Sequence, residues 1–310
     1  MPRRTGPLST TARWLVGVLI AVLAVATVLL VVLALQSVRP QPVPDGAEPV
    51  STYTPRAEST PTPTATPSAT PVATETPDAA ATLPRDQERF LSLGSQGWWR
   101  ATAGACGGAS PVVEHSTDGG ETWEDVTPRY RALAQVASLD SFAGSEAEMV
   151  AAVGGGCETQ ALRTFTQGEF WQPYEDVLAA SRYLEPGDAA AVVTPQGNVA
   201  APCADARSFR AVGDIVALLC DGTGYALGSG GQWTALPATD AVALAVSNGT
   251  VLTAGPAAGC DGLAVTRWTG PGFATAQPLG CAAGASAPAA VAALGDSAAV
   301  WSGAELVRAG

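Results

Sequence analysis

Paired short apolar runs, each pair joined by a turn signal, recur through residues 86–310 and set the strongest limit on the fold. Runs of this length match β-strands and are too short for ordinary helices. The Asn248-Gly249 dipeptide between two of the runs is a strong hairpin signal. Short strands with regular turns indicate an all-β sandwich, barrel or propeller. The clearest pairs are 135–139 with 149–153, 209–212 with 215–219, and 242–246 with 249–253.

The spacing of these pairs selects the propeller. Repetition at about 40 residues is typical of propeller blades, each of which is a small antiparallel sheet. We predict an all-β propeller of about six blades, some of them three-stranded. A ring of roughly five or seven blades is the alternative. The third unit is the weakest, with 189–193 and 198–201 as its only strand candidates. A closed ring would bring 90–93 beside the last blade. The units are 88–127, 132–176, 178–206, 207–238, 239–279 and 284–310.

One octet, 116–123, reads S-T-D-G-G-E-T-W and combines a tight turn with an aromatic residue. The side chains of Ser116 and Asp118 can hydrogen-bond the backbone of a turn. Gly120 allows positive φ there, and Trp123 can pack between sheets. The octet resembles the Asp-box, S/T-x-D-x-G-x-x-W/F, of sialidase and BNR-type β-propellers at all four signature positions. Weaker copies stand at 164–171, 226–233 and 266–273, with a faint one at 301–306.

Sialidases with this motif imply one candidate chemistry. Such enzymes hold a substrate carboxylate with three arginines, and an arginine fork suits a carboxylate. They also use a Tyr-Glu nucleophile pair. The Arg-Ile-Pro signature near the start of these enzymes is absent, and the resemblance assigns no catalytic residue to this chain. The residues of these types in or near predicted strands are Arg100, Arg163, Arg210 and Arg267, with Tyr174, Tyr183, Glu175 and Glu185.

The six cysteines all lie in the part of the chain predicted to fold. An even number of cysteines outside the membrane suggests a disulfide framework, and six cysteines allow 15 connectivities. Adjacent-blade geometry favours Cys106 with Cys157. The nearest remaining pairs are Cys203 with Cys220 and Cys260 with Cys281. No C-x₂-C spacing occurs, so a cysteine metal site is not expected.

The N-terminal region predicts a membrane anchor and a stalk. Residues 14–35 are 22 residues without a charge, long enough to cross a bilayer as a helix. Three arginines precede this run, which places the tail 1–13 in the cytoplasm and the rest outside. A cleaved signal peptide is the alternative, and it normally has a shorter apolar region. Residues 36–85 are rich in Pro and Thr and predict an extended stalk that carries the propeller, 86–310.

Composition excludes several kinds of site. The net charge is −12 and every basic residue is Arg, which argues against a nucleic-acid partner. A single histidine, His115, rules out sites that need two histidines, and its neighbours Ser116 and Asp118 are committed to the turn. No glycine-rich phosphate loop and no EF-hand loop occurs. We therefore expect no metal and no cofactor.

The candidate recognition residues are Trp98, Trp99 and Arg100. Successive strand residues point to opposite faces, so one tryptophan would be buried and the other exposed beside Arg100. An exposed aromatic next to an arginine is typical of a recognition surface, and packing of both tryptophans between blades is the alternative. The sequence thus favours a membrane-anchored binding propeller for an extracytoplasmic protein or glycan. A sialidase-like glycoside hydrolase and an envelope assembly or scaffold factor are the alternatives.

Overall fold

A computed structural model describes residues 84–228 and 230–310 as six antiparallel sheets. Each of the first two sheets has four strands and the third has three, and within each sheet neighbouring strands are consecutive in sequence. Blade 1 contains β1 (Arg89–Leu93), β2 (Trp98–Thr102), β3 (Val112–Ser116) and β4 (Glu124–Asp125). Blade 2 contains β5 (Leu133–Phe142), β6 (Glu146–Val153), β7 (Glu158–Thr164) and β8 (Gln172–Pro173). Blade 3 contains β9 (Tyr183–Glu185), β10 (Asp188–Val193) and β11 (Val199–Ala200).

The other three sheets repeat this arrangement. Blade 4 contains β12 (Arg207–Val212), β13 (Ile215–Cys220), β14 (Thr223–Leu227) and β15 (Trp233–Ala235). Blade 5 contains β16 (Ala243–Ser247), β17 (Thr250–Gly255), β18 (Gly262–Thr269) and β19 (Thr275–Ala283). Blade 6 contains β20 (Ala289–Leu294), β21 (Ser297–Ser302) and β22 (Glu305–Ala309). The short helix α1 (Glu175–Ala180) joins blades 2 and 3, and 3₁₀ turns occur at Arg85–Gln87, Arg129–Arg131 and Pro271–Phe273.

The first strands of the blades line the centre of a closed ring. Each packs against the first strand of the next blade, and β1 also packs against β20, so the first and last blades meet. Six apolar clusters fill the six interfaces between neighbouring blades. At the closing interface, Leu91 packs against Ala290, Ala292 and Trp301. The six-bladed propeller and its closure beside 90–93 are therefore confirmed.

We call the end of the ring where β1 begins the lower end, and the opposite end the upper end. At the upper end, the backbone N–H of Gln96 in the first hairpin of blade 1 donates to the carbonyl of Gly144 in that of blade 2 (3.1 Å). At the lower end, Nη1 of Arg89 donates to the carbonyl of Gly303 in blade 6 (2.9 Å). The first hairpins of blades 1 and 2 therefore lie at the upper end.

Three disulfides join neighbouring parts of the lower end, and the predicted pairing is confirmed. Cys106–Cys157 links blades 1 and 2 with a Cα–Cα distance of 6.0 Å. Cys203–Cys220 and Cys260–Cys281 have Cα–Cα distances of 5.9 Å and 5.6 Å. A disulfide typically stabilises a fold by about 2–4 kcal/mol.

The predicted membrane segment 14–35, the tail 1–13 and nearly all of the stalk 36–85 lie outside the described residues. Within 84–228 and 230–310 no helix has the length and apolar character needed to cross a bilayer.

Candidate functional site

The octet 116–123 forms a hydrogen-bonded turn between β3 and β4. The hydroxyl of Ser116 donates to Oδ1 of Asp118 (2.7 Å) and accepts from the backbone N–H of Gly120 (2.9 Å). Oδ1 of Asp118 also accepts from the backbone N–H of Thr122 (2.9 Å). These bonds hold the pKa of the Asp118 carboxyl far below its usual range, with Thr122 as the main cause. Ser116 and Asp118 are therefore occupied by the turn.

The copy at 164–171 repeats this geometry between β7 and β8 with a different polar residue. The hydroxyl of Thr164 accepts from the N–H of Gly168 (2.9 Å), as Ser116 does with Gly120. Thr166 replaces the aspartate, and its hydroxyl accepts from the N–H of Phe170 (2.9 Å). Trp171 is fully buried and packs between blades 1 and 2. The turn thus needs an acceptor at this position, which a threonine can supply in place of an aspartate.

The remaining copies keep the place of the turn but lose its hydroxyl. The segment 226–233 joins β14 to β15, and Ala226 stands at the position of Ser116. In the segment 266–273, Thr266 lies inside β18, and the turn to β19 begins at Gly270. The octet and these three copies therefore connect the third and fourth strands of a blade, whereas the faint copy at 301–306 lies between β21 and β22, the second and third strands of blade 6.

The residues predicted for recognition, Trp98, Trp99 and Arg100, are all involved in blade packing. Trp99 is fully buried between blades 1 and 2, while Trp98 is half-buried beside Gly120. Arg100 is only 8% exposed, because Nε and Nη2 donate to the two carboxylate oxygens of Glu114 (2.7 and 2.9 Å). The expected exposed tryptophan beside an accessible arginine is not found, since the apolar interfaces of a propeller enclose both faces of β2.

The guanidinium of Arg100 lies between the rings of Trp123 and Trp301, at 4.2 and 4.8 Å from their centroids. Trp123 is half-buried against the closing interface. Arg100 therefore helps to close the ring through cation–π contacts.

The four arginines considered for a carboxylate site bind separate partners. Arg100 pairs with Glu114 and Arg163 pairs with Glu148. Nη2 of Arg267 donates to the carbonyl of Gly295 in blade 6 (2.8 Å). Arg210 donates to the backbone carbonyls of Phe209 and Arg89 (2.7 and 3.0 Å) near the axis of the ring. Each arginine thus has its own structural role.

Of the tyrosines and glutamates considered with them, the ring centroid of Tyr174 lies 5.9 Å from the guanidinium of Arg163, and Tyr183 and Glu185 lie elsewhere. Tyr183 is buried on β9, and burial, with a smaller contribution from Glu185, raises its pKa. Glu185 accepts a hydrogen bond from the hydroxyl of Thr159 (3.0 Å). Tyr174 lies just before α1 and packs against Phe165.

A cavity of about 310 Å³ opens between blades 2 and 3. One wall is formed by β5, β6 and β7 of blade 2, and the lining includes no residue of β9, β10 or β11. Helix α1 covers the other side, and Ala211 of blade 4 completes the wall. This volume is near the low end of the roughly 300–1,000 Å³ range of ligand pockets. Its polar lining is Ser138, Asp140, Glu148, Arg163, Asp176, Ser181 and Arg182.

A row of three charged side chains crosses the floor of this cavity. Asp140 of β5 pairs in register with Glu148 of β6, which pairs with Arg163 of β7. Side chains of such cross-strand partners lie on one face of the sheet. Nε of Arg163 donates to Oε2 of Glu148 (2.8 Å). Burial raises the pKa of the Asp140 carboxyl to about 6, with Arg210 opposing the shift and Glu148 adding to it.

An aromatic rim, defined as Phe142, Phe165 and Tyr174, lies beside the cavity. The rings of Phe142 and Phe165 meet edge to face at 5.5 Å, and Phe165 meets Tyr174 at 6.2 Å. Arg163 connects the rim to the cavity, with its guanidinium 5.0 Å from the Phe142 centroid. Phe165 remains 55% exposed. The site therefore combines a charged floor with an accessible aromatic face.

Most residues of this cavity were not singled out from the sequence. The sequence points to Arg163 but not to Asp140, Glu148, Asp176 or Arg182. The acidic residues are numerous, so their presence alone did not discriminate. The available signal was register, because a correct alignment of β5, β6 and β7 places Asp140, Glu148 and Arg163 in one row.

His115 is buried against the ring of Trp99, with centroids 4.2 Å apart. Burial lowers its pKa, with Glu124 opposing the shift. Within the described part of the chain, no group of three or more His, Cys, Asp or Glu side chains is arranged to hold a metal ion.

No family model matches the chain, and neither does any curated protein. Among solved structures, the chain is similar to Hadza microbial sialidase Hz136, with 8% identity and a TM-score of 0.33, over 68% of this chain and 49% of that one. It is similar to Bacteroides ovatus xyloglucan PUL GH43B, with 9% identity and a TM-score of 0.35, over 72% and 51% of the two chains. It is also similar to native Bacillus subtilis arabinanase Arb43A, with 10% identity and a TM-score of 0.31, over 74% and 95%. The chain spans about half the length of the first two, and likenesses this weak carry no function to it.

Proposed function

We propose that this propeller binds a saccharide in the cavity between blades 2 and 3. The observation that carries the proposal is the charged floor of Asp140, Glu148 and Arg163 beside the exposed ring of Phe165. Carboxylates accept and guanidinium groups donate, so together they can bind the mixed donors and acceptors of sugar hydroxyls. An aromatic ring offers an apolar face to the C–H side of a sugar ring. A cavity of about 310 Å³ can hold one or two sugar units.

The test compares two phenylalanines on one turn. Phe165 belongs to the aromatic rim, whereas Phe170 is 56% exposed and lies outside it. The full-length chain, its Phe165→Ser variant and its Phe170→Ser variant are applied to a glycan array. We expect the parent and Phe170→Ser to retain the same saccharides and Phe165→Ser to lose them. Equal retention by all three proteins, or no retained saccharide, would contradict the proposal.

Glycoside hydrolysis is the second candidate, and the raised pKa of Asp140 favours it. A carboxyl with a pKa of about 6 can donate a proton near neutral pH, as a general acid must. Glu148, its cross-strand partner, lies on the same face of the sheet and supplies a second carboxyl group to the cavity. Glycosidases use such a pair of carboxyl groups.

Turnover assays separate the two candidates. Fluorogenic glycosides, a sialoside included, are incubated with the full-length chain, with Asp140→Asn and with Glu148→Gln. Hydrolysis that both substitutions abolish would identify an enzyme. Retention on the array without hydrolysis of any glycoside would leave a binding protein.

The proposal also includes the site of action. Residues 14–35 would anchor the chain, with residues 1–13 in the cytoplasm and the propeller outside. The three disulfides support an oxidising compartment. Protease added to intact cells should digest the propeller of an anchored chain, and full protection of the propeller would contradict this placement.

A further inference from the structure

The cavity between blades 2 and 3 has more negative than positive charge available to a ligand. Its lining contains three carboxylates, from Asp140, Glu148 and Asp176, and two guanidinium groups. Glu148 and Arg163 neutralise each other in an ion pair. The charges that remain are the two carboxylates of Asp140 and Asp176 and the single guanidinium group of Arg182.

Some of the donors of the lining are engaged by the protein. Nη1 of Arg182 donates to the carbonyl of Gly213 in blade 4 (2.8 Å), which directs the guanidinium toward that hairpin. The hydroxyl of Ser181 donates to the carbonyl of Val177 (2.6 Å). Nε and Nη2 of Arg163 both donate to Glu148.

The acceptors, in contrast, are free. Among residues 84–228 and 230–310, no hydrogen bond is formed by the side chain of Asp176, nor any by the carboxyl of Asp140. Oε1 of Glu148 is likewise left without a donor, because Arg163 binds only Oε2. The cavity therefore offers free anionic acceptors from Asp140, Glu148 and Asp176, beside the unbonded N–H groups of Arg163 and Arg182.

Arg210, which lies outside the lining and acts electrostatically on Asp140, is committed to the axis of the ring. Arg210 donates to two backbone carbonyls and lies 4.0 Å from Glu88. Its charge does not suffice to keep the Asp140 carboxyl at its usual pKa, which burial and Glu148 raise to about 6. A bound carboxylate would add to this uncompensated negative charge, and a bound ammonium group would offset it.

We propose that the saccharide bound here carries a free, protonated amino group, and that Asp140 and Asp176 receive it. This inference rests on the proposed saccharide-binding function and narrows it to amino sugars. It opposes the expectation from the sialidase resemblance, in which arginines bind a sugar carboxylate. Uronic and sialic acids should be excluded by the same carboxylates that attract the amine.

The test compares hexose derivatives that carry a cationic, a neutral or an anionic group. Glucosamine and galactosamine, their N-acetyl forms, and glucuronate and galacturonate are titrated into the full-length chain by calorimetry at pH 7 and pH 5. At pH 7 we expect an amino sugar to bind about tenfold or more tightly than its N-acetyl form, since a charge-assisted hydrogen bond contributes at least that factor. At pH 5 this preference should shrink, because Asp140 is then mostly protonated while the amine stays charged.

Two substitutions locate the effect. Asp176 is exposed, so the Asp176→Asn variant should fold normally. It should bind the amino sugar more weakly than the parent does and bind the N-acetyl form with the same affinity. Asp205→Asn removes an exposed carboxylate elsewhere and should change neither affinity. The amine preference would be wrong if N-acetyl sugars or uronates bound as tightly as amino sugars. If Phe165→Ser also abolished that binding, the proposed saccharide site would still hold. If none of the six sugars binds and the glycan array retains no saccharide, both proposals are wrong.

Discussion

The carboxylate of Glu88 accepts a hydrogen bond from the backbone N–H of Ser208 at 2.7 Å, across 120 residues of sequence. Glu88 immediately precedes the first strand of blade 1, and Ser208 lies in the first strand of blade 4, on the opposite side of the ring. Arg210 stands 4.0 Å from the same carboxylate. One side chain thus spans the axis and links the two halves of the propeller.

Removal of this link should destabilise the fold. Glu88→Ala would leave the N–H of Ser208 and the guanidinium of Arg210 without their partner, and loss of one partner of a buried pair costs about 3–5 kcal/mol. Urea unfolding of the full-length chain, followed by tryptophan fluorescence, measures this loss. Glu305→Ala changes an exposed glutamate and should stay within about 0.5 kcal/mol of the parent. Equal midpoints for the two variants would show that the link contributes nothing.

The turn at 116–123 should contribute stability that depends on pH. Its hydrogen bonds depress the pKa of Asp118 in the folded state, so the carboxylate stabilises the fold at pH values above the unfolded pKa, about 3.9. This contribution is lost as pH falls toward the folded pKa. The difference in melting temperature between the parent and Asp118→Ala should therefore be greatest at neutral pH and shrink between about pH 4 and pH 2. A difference that stays constant over this range would refute the assignment.

The second turn should depend on a hydroxyl rather than on charge. Thr164 is fully buried, and Thr164→Val would leave the buried N–H of Gly168 without its acceptor. We expect a loss of about 1–3 kcal/mol in the free energy of unfolding. Thr164→Ser keeps the hydroxyl, as Ser116 does in the first turn, and should recover most of that loss. If Thr164→Val and Thr164→Ser lose the same free energy of unfolding, packing and not the hydrogen bond stabilises this turn.

Closure of the ring should depend on Trp301. This side chain is 4% exposed, packs against Leu91 and lies under the guanidinium groups of Arg89 and Arg100, at 4.4 and 4.8 Å. Trp301→Ala should cost about 3–5 kcal/mol. Trp301→Phe keeps an aromatic face for both arginines and should cost clearly less, which chemical unfolding of the two variants can establish. A phenylalanine variant as unstable as the alanine one would argue against the cation–π contacts.

Local signals made most of the fold predictable. Asn248-Gly249 forms the hairpin between β16 and β17, and the predicted unit boundaries match the six sheets within a few residues. Strand β9 is not predictable in this way, because three residues are too few to show the alternation of buried and exposed side chains that indicates a strand. Helix α1 was missed because it is six residues long and no side chain caps its start at Tyr174.

The site was harder to predict than the fold because it depends on irregularities. The charged row of the cavity depends on the register of β5 against β6, which shifts near Ser138. Such a shift changes which side chains share a face. The exposure of Phe165 and the burial of Arg100 likewise follow from blade packing, which no local pattern in the sequence reveals.

The three disulfides join each cysteine to the next one along the chain: first to second, third to fourth and fifth to sixth. A polypeptide that reaches an oxidising compartment from its N-terminal side would therefore meet its cysteines in the order of their native pairing. The longest separation is 51 residues, so every bridge can close after little more than one blade has arrived. We therefore expect the native pairing when the chain is expressed in a host that supplies a thiol oxidase but lacks a disulfide isomerase.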